Sequence, residues 1–170
     1  HLMVQWDQTN NKGSYAAGFG TDWARFHELT GKRVGIIGLG QIGSRVAKRL
    51  QGWECEVVYG DIASYSAEYE AVAGATKVDF DELIETSDVI SLHVPLDRST
   101  EKILSDREFS MMKPSAIVVN ACRGPVVDEA ALIRALDTGQ IAGAGLDVTE
   151  IEPIEISNAL IGRDNVVLLP

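Results

Sequence analysis

A chain of 170 residues has the length of one domain. With 45% hydrophobic residues it can bury a core, yet no stretch approaches the roughly 18 successive apolar residues that cross a bilayer. The net charge of −10, with acids spread along the chain, argues against a nucleic-acid or anionic-membrane surface, so an anionic ligand would have to be met by backbone amides and a few local cations.

The first 31 residues read as a lead-in, a hinge or interface segment, ahead of a domain spanning 32–170. Asn10-Asn11-Lys12-Gly13-Ser14 is turn chemistry. Trp6, Tyr15, Phe19, Trp23 and Phe26 follow no regular period and are expected to lie under a partner or a second domain. No signal peptide is recognisable in the opening residues. From Lys32 onward, strand and helix patterns alternate. Apolar runs predict strands over 33–38, 55–60, 74–77, 88–92, 115–120, 141–146 and 165–169. After the first of them, Ile42, Val46, Ala47 and Leu50 share one helical face, and Gly52 offers a stop. Asp79 with Glu82 resembles a capping box for a helix carrying Phe80, Leu83 and Ile84. Ser105 with Glu108 repeats the device before Phe109, and Pro114 ends that helix. Asp128 is placed to cap a helix bearing Leu132, Ala135 and Leu136, closed by Gly139. Strands alternating with helices predict an α/β fold: a doubly wound parallel sheet of the Rossmann type, with helices on both faces.

The first strand runs into Gly38-Leu39-Gly40-Gln41-Ile42-Gly43, the spacing G-x-G-x-x-G. In a dinucleotide site Gly38 allows the tight turn, Gly40 lets the backbone approach a pyrophosphate, and Gly43 lets the helix pack close to the strand. The helix start at Gln41 turns free N–H groups and the positive end of its dipole toward the phosphates. Three glycines in six residues are not specific in a chain with 16 of them. The flanking strand and helix patterns add weight, as does Asp61, 18 positions after Gly43. The Asp61 carboxylate can accept hydrogen bonds from an adenosine ribose and would repel a 2′-phosphate, selecting NAD over NADP; the alternative is a solvated acid at a strand end.

In such a sheet, ligands lie outside the carboxyl ends of the strands, so the segments that follow strands hold the other candidates. Arg123, in Asn120-Ala121-Cys122-Arg123-Gly124, can make a bidentate match to the carboxylate of a 2-oxo or 2-hydroxy acid, or pair with a nearby acid as a surface arginine. Asp147 follows the small-residue run 142–146 and is placed either to bind a nicotinamide carboxamide or to act as a turn or cap acid. Glu152, before Pro153, reads by itself as a turn residue. His93 reads as a structural histidine beside the crevice, since no second ligand is spaced for a metal. Cys122 lacks an identifiable base and reads as a small buried thiol rather than a nucleophile. Cys55 and Cys122 fit no metal or C-x-x-C spacing, as expected of reduced thiols in a cytoplasmic protein.

Taken together, Gly38–Gly43, Asp61, Leu92-His93-Val94-Pro95-Leu96, the run Asn120 to Leu132, and Gly143-Ala144-Gly145-Leu146-Asp147-Val148 resemble the NAD-binding domain of D-isomer-specific 2-hydroxyacid dehydrogenases over residues 30–170. The resemblance implies hydride transfer between NADH and C2 of a 2-oxo acid, with a histidine supplying the proton to the new hydroxyl. It implies that Arg123 holds the substrate carboxylate and carbonyl, and that Glu152 hydrogen-bonds the catalytic histidine and raises its pKa. Asp147 would bind the nicotinamide end, and Gln41 and Ile42 would begin the pyrophosphate helix. Ala121, Cys122 and Arg123, with His93, Val94 and Pro95 opposite, would line the cofactor. A homodimer is the implied assembly, while the charge and the lack of a long apolar stretch argue against nucleic-acid and membrane partners. The family's histidine follows a proline in the region matching 165–170, where this sequence has none; its three histidines are His1, His27 and His93. The family's substrate domain is likewise not represented. The expectation is a cofactor domain that binds NAD but turns over 2-oxo acids negligibly by itself. A second reading stays open, because relatives of this fold include NAD-sensing transcriptional co-repressors that keep the same catalytic residues.

Overall fold

The computed structural model describes residues 28–169. The aromatics Trp6, Tyr15, Phe19, Trp23 and Phe26 lie outside these residues. Seven strands are formed: β1 (Arg33–Ile37), β2 (Glu56–Gly60), β3 (Thr76–Lys77), β4 (Val89–Leu92), β5 (Ile117–Asn120), β6 (Gly143–Leu146) and β7 (Val166–Leu168). Each predicted strand is present, one or two residues shorter than its apolar run. The helices are α1 (Gln41–Leu50), α2 (Ala67–Ala73), α3 (Phe80–Thr86), α4 (Asp106–Met111) and α5 (Glu129–Thr138). The strands form one sheet in the order β3-β2-β1-β4-β5-β6-β7, every pair parallel.

Strand alternation sorts the core into two layers, because successive side chains point to opposite faces. Ile36, Val57 and Tyr59 face one side, where Ala47 of α1 and Ala73 of α2 cover them. Ile37, Val58, Ile90, Leu92 and Val118 face the other, against Leu83 and Ile84 of α3, Phe109 of α4 and Leu132 and Ala135 of α5. Helices therefore lie on both faces, as the sequence pattern predicts. No helix among the described residues is long and apolar enough to cross a membrane.

Several local expectations hold. The Asp128 carboxylate accepts the Ala131 N–H at 3.0 Å, and Gly139 closes α5 with φ +70. Glu108 accepts the Ser105 N–H at 3.0 Å, the returning bond of the α4 capping box. Others do not. Asp79 stands at the N-cap of α3 but makes no capping bond, and Glu82 pairs instead with Arg33 across the edge of the sheet. Gly52 does not end α1. The chain passes through a 3-10 turn, and the left-handed residue is Glu54, with φ 55. Ile42 is 66% exposed rather than on the packed face. Gly43 and Ala47 take the inward positions, which turns Ile42 outward at the mouth of the helix.

Parallel strands put every following loop on one edge of the sheet. The order reverses between β1 and β4, so the glycine turn after β1 lies beside the segment after β4.

Candidate cofactor and active site

The glycine turn is shaped by contacts no side chain could share. Gly38 has φ +92, and a Cβ there would lie 2.8 Å from both the His93 carbonyl oxygen and Val94 Cγ1. A Cβ at Gly43 would lie 2.0 Å from the Gly38 carbonyl oxygen, so α1 starts hard against the end of β1. Gly40 is different: a Cβ there meets no heavy atom within 4 Å, and the residue borders a cleft of about 610 Å³. Gly40 is also the N-cap of α1, which has no side-chain cap and no acid in its first turn. Each of the other four described helices carries an acid there. The amides at the start of α1 are thus left for an anion, with no carboxylate competing.

Asp61 follows β2 and is held by three donors. Leu39 N–H donates to Oδ2 at 2.8 Å, Ala63 N–H to Oδ1 at 2.8 Å, and Tyr65 O–H to Oδ2 at 3.1 Å. The carboxylate is thus tied to the glycine turn itself. The cleft continues past Ile62 to Val78, Phe80, Val94 and Ile103, giving it apolar walls. Among the described residues its lining holds one cation, Lys77, against the carboxylates of Asp61, Asp79 and Asp97. Attraction for a phosphate must therefore come from the α1 amides.

His93 enters the cleft from the end of β4, with Nε2 2.8 Å from Ser91 Oγ. Burial holds its imidazole below the usual range, so it is neutral near pH 7. Val94 and Pro95 line the same wall.

Beyond β5, the buried Asn120 organises the next loop. Its Oδ1 accepts the Cys122 N–H at 3.1 Å, and its Nδ2 donates to the Arg123 carbonyl at 2.9 Å. The Cys122 thiol also meets Oδ1, and burial pushes it up, away from a reactive thiolate. Ala121 and Arg123 are exposed. The Arg123 guanidinium donates to the Cys122 carbonyl and pairs with no carboxylate among the described residues. Gly124 joins this loop to the one after β6, since a Cβ there would lie 1.8 Å from the Thr149 carbonyl oxygen. In that second loop Asp147 is exposed, its carboxylate unbonded within the described residues. Glu152 accepts the Thr149 N–H at 3.1 Å, a turn-type contact that leaves Oε2 open. Glu129, at the start of α5, fixes the same loop by accepting the Glu150 N–H at 3.1 Å and the Asn158 amide at 2.7 Å.

Arg123, Asp147 and Glu152 are thus carried by two loops in direct backbone contact. The contacts of Asn120, Glu129 and Tyr65 are not legible in the sequence, where Asn120 and Glu129 appear only as members of the run that carries the resemblance and Tyr65 carries no motif. The residues fit a dinucleotide: free helix amides for a diphosphate, a fixed carboxylate one strand away, and a cleft with apolar walls.

Comparison with known proteins agrees with this geometry. The family described as D-isomer specific 2-hydroxyacid dehydrogenase, NAD binding domain, matches residues 2–170. A glyoxylate reductase of Thermococcus litoralis is 47% identical over 142 residues, which are 84% of this chain and 42% of that protein. D-mandelate dehydrogenase of Rhodotorula graminis superposes with a TM-score of 0.88 at 35% identity, covering 98% of this chain and 49% of that one. D-lactate dehydrogenase with NAD+ from Lactobacillus jensenii gives 0.83 at 34% identity, covering 99% and 53%. The chain therefore spans about half the length of the relatives it matches. It belongs to the D-isomer-specific 2-hydroxyacid dehydrogenase family, of which it is the NAD-binding domain.

Proposed function

We propose that this chain is the cofactor half of an oxidoreductase that interconverts a 2-oxo acid and a D-2-hydroxy acid. One observation carries the proposal: a single edge of the sheet holds both the uncapped start of α1 with Asp61 beside it and the packed pair of loops bearing Arg123, Asp147 and Glu152. Bound NAD would supply the hydride acceptor or donor. The amides of Gln41 and Ile42 take the pyrophosphate, with Gly38, Gly40 and Gly43 giving it room. Asp61 accepts from the adenosine ribose. His93, Val94 and Pro95 form one wall, and Ala121, Cys122 and Arg123 the other. The open Asp147 carboxylate accepts from the carboxamide N–H. The Arg123 guanidinium grips the substrate carboxylate and polarises its carbonyl. Glu152 Oε2 accepts from the imidazole that acts as general acid and base, holding it protonated when a 2-oxo acid is reduced. In this proposal residues 1–31 are a lead-in and 32–170 the cofactor domain, within a cytoplasmic homodimer that engages neither nucleic acid nor membrane. The resemblance and the two free cysteines support that setting.

Titration calorimetry tests the proposal. NAD is expected to bind at least about tenfold more tightly than NADP, and Asp61→Ser should erode that preference. Equal binding of both by the unaltered protein would remove the role given to Asp61. No heat with either oxidised or reduced NAD would remove the proposal.

A further inference from the structure

We infer that Tyr65 and Tyr69 are positioning residues for the dinucleotide, clamping the glycine turn and Asp61 in the shape that receives it; this rests on the NAD-binding reading above. The clamp closes on the backbone of one residue, Leu39, from the peptide on either side of it. Leu39 N–H is held by Asp61 Oδ2 at 2.8 Å, while the Leu39 carbonyl accepts from Tyr69 O–H at 3.2 Å. The same hydroxyl reaches the Gly40 carbonyl at 3.4 Å. Tyr65 O–H meets Asp61 Oδ2 at 3.1 Å, so the two tyrosines grip opposite sides of the Leu39 backbone, one of them through Asp61.

The two rings act together. Tyr65 and Tyr69 are stacked with centroids 4.8 Å apart and planes 15° apart. Tyr65 in turn meets the edge of Tyr59, at 6.0 Å and 65°. Tyr59 is fully buried in β2, with its hydroxyl on Glu70 of α2. The stack is thus seated on the sheet, and its free ends are the two hydroxyls, Tyr69's on the turn and Tyr65's on Asp61. Packing alone would be served equally by phenylalanine. The hydroxyls are what couple the stack to the turn.

The clamp has a consequence for recognition. A carboxylate offers about four acceptor positions, and Asp61 already serves two donors at Oδ2 and one at Oδ1. Its rotamer is therefore fixed before a ribose arrives, with acceptor capacity left mainly on Oδ1. A turn and a carboxylate ordered in advance need not be ordered on binding, and that is how they raise affinity.

The test compares Tyr65→Phe, Tyr69→Phe and Asp61→Ser, singly and as Tyr65→Phe with Asp61→Ser, by NAD calorimetry and by hydrogen exchange of the Leu39 amide. Each Tyr→Phe change keeps the ring and the stack. Each is expected to weaken NAD about three- to tenfold, the worth of one hydrogen bond, and to lower the thermal midpoint by only about 2–4 °C. In the Asp61→Ser background, Tyr65→Phe should have no further effect, because it acts through that carboxylate. Leu39 amide exchange should quicken in both single variants. Wild-type affinity in both single variants overturns the inference, as does an equal loss from Tyr65→Phe with and without Asp61. If the unaltered protein binds no NAD, the parent reading fails, and the Leu39 exchange rates still decide whether the clamp exists.

Discussion

At the scale of single residues, the contact between Gly124 and Thr149 sets the geometry of the proposed substrate end. A methyl group at Gly124 would collide with the Thr149 carbonyl, which is backbone and cannot swing aside. Gly124→Ala should cost about 1–3 kcal/mol in urea denaturation, the usual penalty for overpacking, and should separate the loops of Arg123 and Glu152. NAD affinity at the adenosine end should change far less, because Gly124 is not among the described residues that line the cleft beside Asp61. His93 gives a pH signature. Burial lowers its pKa in the folded state below the ordinary 6.5, so the unfolded chain binds this proton more readily. Its contribution to stability is therefore complete above about pH 6.5 and is lost as pH falls below it, by at most about 1.4 kcal/mol per pH unit. Unfolding free energies between about pH 5 and 7 should show this slope, and His93→Gln should flatten it. An unchanged slope would mean that His93 is not held neutral.

Among the elements, α1 gives up a side-chain cap at the place proposed for the diphosphate. Its N-cap is a glycine with φ −61, an angle any residue adopts, and a side chain there would meet no protein atom. Aspartate is a far better cap than most residues, and its charge suits the helix dipole. Gly40→Asp should therefore stabilise the fold by a few tenths to about 1 kcal/mol while abolishing NAD binding, because the carboxylate would occupy the place of the diphosphate. Denaturation and calorimetry on the same sample check both halves. If Gly40→Asp still binds NAD at the wild-type level, the diphosphate is not at the start of α1. By contrast α5, whose first turn serves the fold, is capped by Asp128 and clamped to the neighbouring loop by Glu129.

Over the whole molecule, a net charge of −10 surrounds a site built for an anion. The attraction is supplied locally by oriented amides, and the overall field opposes it. Exposed charges more than about 10 Å apart are screened at 0.1 M salt, whereas contacts within the site are screened much less. Raising salt from about 20 to 200 mM should leave NAD affinity unchanged or slightly improved. A steep loss of affinity with salt would instead point to a cluster of cations as the anchor. Lys77, the cleft's one cation among the described residues, donates to the Ala63 carbonyl.

The sequence by itself determined the parallel α/β architecture, the glycine turn, Asp61 and the loops of Arg123 and Asp147, because each rests on a local pattern: an apolar run, a turn residue, a residue just past a strand. Only the tertiary structure decided how those pieces meet. The Tyr69 hydroxyl reaches Leu39 across 30 positions, Glu129 holds Glu150 across 21, and Gly124 touches Thr149. It also decided the exceptions, turning Ile42 out of the core and leaving Asp79 without its capping bond. Periodicity fixes which face of an element is apolar, but a side chain's hydrogen-bond partner depends on which distant loop is packed beside it, and no spacing along the chain encodes that neighbour.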